Sequence, residues 1–196
     1  DLRLRIERKF ADSKFVERNF PLLLNEMKKN KALREKIEKR YPEIIKGESA
    51  VQKIADEKRH YIVNRMMLKL LLQIERRLEV DPDKVLFVMI HRVTEQKGFQ
   101  LLLECSEGLF KNLGYQCVVG GAVSSGDRKG EEIAHGIWLL SQYYGKNANV
   151  CLGFQEVSVP LLAGDVFCMP SMSEPGGISQ LEALIDGIQN TSPARR

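Results

Sequence analysis

The sequence predicts an α/β fold: a Rossmann-like, doubly wound parallel sheet of about four strands over residues 81–187. A basic, all-helical region over 1–80 precedes it, and a disordered tail over 188–196 follows. Three observations carry this. From Asp81 onward, short and nearly all-apolar runs alternate with stretches of helical periodicity, the pattern of strands covered by helices on both faces. Residues 1–80 show helical periodicity and 21 Lys+Arg against 13 Asp+Glu, whereas 81–196 carry 9 against 13, so the two regions differ in kind. Near the end, the run Asp165–Pro170 passes through a glycine-rich turn into Ile178, Leu181, Leu184 and Ile185 at helical spacing, a strand-to-helix transition.

In the first region, Leu22–Lys29, Ala32–Tyr41, Ser49–His60 and Tyr61–Leu78 read as amphipathic helices. Pro21, Pro42 and Gly47 punctuate them, and Ser49 is the expected N-cap. In the second region, strand Val85–Ile90 leads to helix Glu95–Asn112, and strand Gln116–Gly120 to helix Gly130–Tyr143. Strand Asn149–Leu152 leads to a short helix over Val157–Ala163, and strand Val166–Met169 to helix Gly177–Ile185. Such sheets bind ligands at the carboxyl ends of their strands, so the loops there are the ones to weigh.

No apolar run approaches the length of a membrane span and no signal segment opens the chain, so the expectation is a soluble cytoplasmic protein without a membrane partner. Cys105, Cys117, Cys151 and Cys168 show no metal-like spacing, and the last three sit in apolar strand runs as reduced core residues. The excess of cations in 1–80 is mixed with acids, as on solvated helices, and argues little for nucleic acid. The chain opens on Asp1 and reads as part of a longer protein.

After the first strand come Arg92 and Lys97, a fork and a point charge where a diphosphate would be clamped; solvated loop cations explain the spacing at least as well. After the second, Gly120 and Gly121 would let backbone approach a ligand, or simply make a turn. After the third, Phe154 could stack on a nucleobase, although spacing alone favours a core phenylalanine. After the fourth, Glu174 stands before Gly176 and Gly177 at a helix N-terminus whose free N–H groups suit a phosphate. Glu182 falls on the stripe of that helix that should be apolar, and a charge there calls for a partner. Asp81-Pro-Asp83 matches a D-x-D metal pattern but precedes its strand, so it reads as a turn. The scattered His60, His91 and His135 make no metal or triad cluster, and Trp138 reads as helix packing.

Together these loops resemble the C-terminal lobe of a GT-B glycosyltransferase, most closely the bacterial glycogen and plant starch synthases. Arg92 with Val93-Thr-Glu-Gln-Lys-Gly98 resembles the family's Ser-Arg-Leu-Thr-x-Gln-Lys-Gly. Gly153-Phe154 with Glu156 resembles its Gly-Tyr-x-Glu, and Asp165–Ser171 its Ala-Asp-x-x-x-x-Pro-Ser. Glu174-Pro-Gly-Gly-Ile-Ser-Gln180 resembles Glu-Pro-Cys-Gly-Leu-Thr-Gln, and Asn64–Lys69 echoes the Asn-Lys-x-x-Leu-Gln element before the lobe. The likeness covers roughly residues 64–187.

The resemblance implies transfer of glucose, with retention, from ADP- or UDP-glucose to the non-reducing end of an α-1,4-glucan. It implies no cofactor and no metal. Catalytic roles fall to Arg92 and Lys97 at the donor diphosphate and to Glu174 at the sugar. Donor-binding roles fall to Phe154 at the base, Gly176 and Gly177 through their amides, Glu182 at the ribose, and Gly120 and Gly121. The α-glucan acceptor would be held by an N-terminal lobe that this chain lacks, so the chain alone is expected to be inactive. An exposed sheet edge and interlobe face would suit self-association. A plant-like origin would imply the plastid. His91 stands in place of the family's Ser, Gly176 in place of its Cys, and Glu182 is more typical of GT-B transferases at large. Another sugar-nucleotide transferase of this fold is therefore the near alternative, and a non-catalytic assembly module the more distant one.

Overall fold

A computed structural model describes residues 13–45, 57–153, 158–173 and 189–191. The chain divides into two units: Asp1–Glu75 with Glu79–Asp83, and Arg76–Leu78 with Lys84–Arg196.

In the first unit, α1 spans Ser13–Lys29, α2 Lys31–Arg40, α3 Pro42–Ile45 and α4 Glu57–Glu75. Phe15, Asn19, Leu23 and Met27 recur every fourth residue along α1 and are buried. Asn19 is tolerated on that stripe because its amide donates to the Phe15 carbonyl at 3.0 Å. Pro21 does not end the helix, contrary to the expectation from its ring: it lies inside α1 on the exposed side, where the chain need bury nothing. Asn30 caps α2, its side-chain oxygen accepting from Leu33 N at 3.0 Å. Pro42 then supplies the first residue of α3. The expected cap at Ser49 lies outside the described residues.

Asp81-Pro-Asp83 is a turn. The Gln73 amide donates to the Asp81 carbonyl at 2.9 Å and accepts from Asp81 N at 3.1 Å. Both Asp81 carboxylate oxygens lie 3.0 Å from Lys36 Nζ, and Asp83 pairs with Lys36 and Arg40. These carboxylates are engaged by helix cations, which accounts for the D-x-D pattern without a metal.

In the second unit, β1 spans Leu86–Ile90, α5 Phe99–Ser106, β2 Gln116–Gly121, α6 Arg128–Tyr143, β3 Ala148–Leu152, α7 Ser158–Ala163, β4 Val166–Cys168 and β5 Gln189–Thr191. Among the described residues there are five strands, all parallel, in the order β3-β2-β1-β4-β5. The fifth strand corrects the expected tail: Gln189, Asn190 and Thr191 pair with Val166, Phe167 and Cys168, which satisfies the outer edge of β4. The helix expected over Gly177–Ile185 lies outside the described residues.

Period-two alternation gives each strand two faces. Phe87, Met89, Cys117, Val119 and Ala148 pack against Phe99 and Leu102 of α5, Phe110, and Ile133, Ile137 and Leu140 of α6. Leu161, Phe167 and Met169 form a second cluster. The helix expected over Glu95–Asn112 is three pieces: a 3-10 turn at Glu95–Lys97, α5, and a π-helical stretch over Glu107–Asn112. The wider π turn seats Phe110 on Phe87, with ring centroids 5.9 Å apart and 15° between planes. Asp127 caps α6 by accepting from Gly130 N at 3.0 Å.

Candidate functional site

Strand order locates the site. From β1 the chain runs to β2 and β3 on one side, then returns to β4 on the other, so the order reverses between β1 and β4. At such a reversal the loops leaving two adjacent strands diverge and open a crevice at the carboxyl edge. Here those loops are His91–Gly98 and Met169–Ser173.

His91 spans the reversal. Its backbone N–H donates to the Gly120 carbonyl at 3.0 Å, extending the β1–β2 ladder by one residue. Its imidazole is buried, meets the Phe167 ring edge-on at 5.1 Å, and Nε2 lies 2.9 Å from the Cys168 carbonyl. A carbonyl only accepts, so Nε2 carries the proton in this bond. Val93 N then donates to the Ala122 carbonyl at 2.8 Å, so the loop follows the end of β2 before turning away.

The two loops are joined by Gln96. Its carbonyl accepts from Met172 N at 2.9 Å, and its amide donates to the Ser173 carbonyl at 2.6 Å. One turn on, Gly98 adopts φ 74°, and a Cβ there would lie 2.2 Å from the Pro170 carbonyl oxygen. Glycine is therefore required by both the backbone conformation and the approach of the second loop. Outside this junction, Glu95 accepts from Lys129 of α6 at 2.5 Å and holds that amine above its ordinary pKa.

Arg92 lies on this framework, exposed just past β1, and among the described residues its guanidinium has no hydrogen-bond or ion-pair partner. Lys97 is half-buried in the 3-10 turn. Gly120 and Gly121 end β2 at φ 149° and 136°, and Cβ atoms there would lie 2.0 Å from the Cys151 oxygen and 1.7 Å from the His91 oxygen. Close strand packing thus gives both glycines a reason that needs no ligand. Phe154, Glu174, Gly176, Gly177 and Glu182 lie outside the described residues. The structure accordingly brings Arg92 and Lys97 to the loop whose partner loop ends at Ser173, immediately before Glu174 in sequence.

Sequence reasoning did not anticipate Gln96 or His91. Gln96 sits inside the quoted motif, but a loop glutamine does not reveal its partner. His91 had one usable signal, its place as the first residue past a buried strand at the ligand edge. Among the described residues, no group of three or more His, Cys, Asp or Glu is placed to hold a metal ion. None of the described helices is long and apolar enough to cross a membrane.

A parallel sheet in this order, with a cationic loop at its reversal point, defines an α/β lobe of the nucleotide-binding architecture. Residues 73–188, more than half of the chain, match the family described as glycosyl transferases group 1, and the chain belongs to that family. Within it, the chain is a glycogen/starch synthase-like GT-B domain. It is 36% identical over 115 residues to the glycogen synthase of Pasteurella multocida, covering 58% of this chain and 22% of that protein. To the glycogen synthase of Actinobacillus succinogenes it is 37% identical over 118 residues, covering 59% and 23%. The chain thus spans less than a quarter of the length of these relatives.

Solved structures share the fold. The catalytic domain of starch synthase IV from Arabidopsis thaliana, bound to ADP and acarbose, aligns with a TM-score of 0.54 at 22% identity, over 66% of this chain and 26% of that one. A glycosyltransferase from Rickettsia africae aligns with a TM-score of 0.51 at 18% identity, over 63% and 32%.

Proposed function

We propose that this chain is the donor-binding lobe of a retaining glucosyltransferase that moves glucose from ADP- or UDP-glucose to the non-reducing end of an α-1,4-glucan. The observation that carries the reading is the Gln96 junction, which fixes the loop bearing Arg92 and Lys97 to the loop that runs into Glu174. Similarity to glycogen synthases and to a starch synthase bound to ADP and acarbose supports it.

In this reading Arg92 forks onto the donor diphosphate and Lys97 adds a point charge, so both stabilise the negative charge that grows on the leaving nucleoside diphosphate. Glu174 meets the glucose hydroxyls or the positive charge developing at the anomeric carbon. Phe154 stacks on the base, Glu182 takes the ribose hydroxyls, and the Gly176 and Gly177 amides meet sugar or phosphate. Gly120 and Gly121 keep the β2 end free of side chains beside the donor. With two cations supplied by the protein, the donor binds without a metal or other cofactor.

Calorimetry with ADP-glucose, UDP-glucose and ADP tests this directly. The expected result is binding of at least one donor, unchanged by chelator, and weakened at least about tenfold in Arg92→Ala while the fold is kept. No binding of any of the three, in this chain or in a chain extended by an N-terminal lobe, would overturn it.

A further inference from the structure

Strand β1 is held unequally on its two sides. It pairs with β2 from Leu86 to Ile90, and His91 N adds one more ladder bond at Gly120. With β4 it pairs only at Phe87 and Val88, opposite Val166 and Phe167. Past that point the imidazole of His91 reaches across, with Nε2 2.9 Å from the Cys168 carbonyl and the ring edge-on to Phe167. A serine, the residue of the resembled motif at this place, ends at the atom after Cβ and would fall short of that carbonyl. The bond is therefore a feature of this chain and not of the motif.

His91 is fixed from the β2 side as well. Its carbonyl oxygen lies against Gly121, where a Cβ would stand 1.7 Å away. The residue is 8% exposed, so little water competes for the imidazole bond. Both ends of that bond lead into the site. Arg92 follows His91 directly, and Cys168 leads through Met169–Ser173 to Glu174. Gln96 holds the far end of that loop at Met172 and Ser173. Between the two anchors, the buried Ser171 hydroxyl has no hydrogen-bond partner among the described residues.

We propose that His91 is a positioning residue for the donor: its bond to Cys168 sets the spacing between Arg92 and the loop that runs into Glu174. This rests on the donor-binding reading above, and it adds the group that fixes the width of the crevice. The diphosphate and the sugar of a nucleotide sugar are covalently joined, so the groups that meet them must keep one separation. An error of about 1 Å in that separation is enough to weaken the productive complex severely.

Three variants separate the bond from the packing. His91→Phe keeps a ring on Phe167 and loses the N–H. His91→Gln loses the ring and keeps an N–H of the same reach, and His91→Ala loses both. Each is titrated calorimetrically with ADP and with whichever of ADP-glucose and UDP-glucose the unmutated chain binds, beside urea unfolding. In folded protein, His91→Phe and His91→Ala should bind the nucleotide sugar at least about fivefold more weakly, and His91→Gln within about twofold of the unmutated chain. The loss should be smaller for ADP, which has no sugar to reach the second loop. Unchanged affinity in His91→Phe, or equal losses for ADP and the nucleotide sugar, would overturn the proposal and assign His91 to the fold alone. An unmutated chain that binds no nucleotide would overturn the donor reading and this role together. The bond itself is read without any donor. Among the chain's three histidines, nitrogen-15 NMR should show a slowly exchanging Nε2–H that is lost in His91→Gln. Rapid exchange of that proton would overturn the positioning role and leave the donor reading standing.

Discussion

Gln96 holds Ser173 through the side chain and its neighbour Met172 through the backbone, so one residue fastens the loop after β1 to the loop after β4. The two bonds are of different kinds and can be separated by mutation. Truncation removes the amide bond and leaves the carbonyl bond intact.

Gln96→Ala should therefore loosen the junction without dissolving it. A single side-chain hydrogen bond is worth about 1 kcal/mol, so donor affinity should fall roughly three- to tenfold with a small loss of stability. Calorimetry beside thermal unfolding checks this. Equal losses in both would mean that Gln96 serves the fold alone.

Gly121→Ala should act on stability first. Its Cβ would lie 1.7 Å from the His91 carbonyl oxygen at a φ of 136°, so neither backbone nor neighbour can absorb the change locally. A loss of about 3 kcal/mol or more is expected in urea unfolding, with a protein at the edge of folding. A stable Gly121→Ala variant would contradict the β2–His91 packing.

Thiol labelling should separate the cysteines. Burial pushes the Cys117 thiol far above its ordinary pKa and raises Cys151 as well, so neither offers thiolate near neutral pH. Cys105 is exposed. A maleimide should modify Cys105 at once in the folded chain, while Cys117 and Cys151 react only on unfolding. Mass spectrometry of labelled peptides gives the order.

Lys36 should support the first unit up to alkaline pH. Its hydrogen bonds to Asp81 raise its pKa above the usual 10.5. A raised pKa means that the stabilisation is complete below the unfolded value and disappears as pH climbs through the folded one. The Lys36 side chain is 42% exposed, so the effect is about 0.5 kcal/mol and shrinks with salt. The stability gap to Lys36→Met should be constant from neutral pH to about 10 and close above it.

Much of the fold was legible because its signals are local. Runs such as Leu86–Ile90 and Val166–Cys168 are short and apolar, and strands buried on both faces leave no other pattern. Pro21 misled because a proline on an exposed helix side loses one hydrogen bond that water replaces, which the residue type alone does not disclose. β5 was illegible for a related reason: Gln189-Asn-Thr191 is polar and joins the sheet through backbone pairing, which leaves no hydropathy trace. In the site, Arg92 and Lys97 could be read from motif position. The Gln96 junction could not, because it joins segments distant in sequence, and only the three-dimensional course of the chain brings Met172 and Ser173 to it.

Strand β1 pairs with partners at very different distances along the chain: Phe87 meets Cys117 on one side and Val166 on the other. The entropy of closing the longer loop exceeds that of the shorter by only about 0.9 kcal/mol, yet contacts between distant segments form late in time. The β1–β2 hydrophobic layer with α5 and α6 can therefore condense first, and β4 arrives on a sheet already half built. The crevice between β1 and β4 is then the last part of the lobe to acquire its shape. A ligand seated there would act as a clasp on the final folding step, so its protection should register most strongly in the amide exchange of Val166–Cys168.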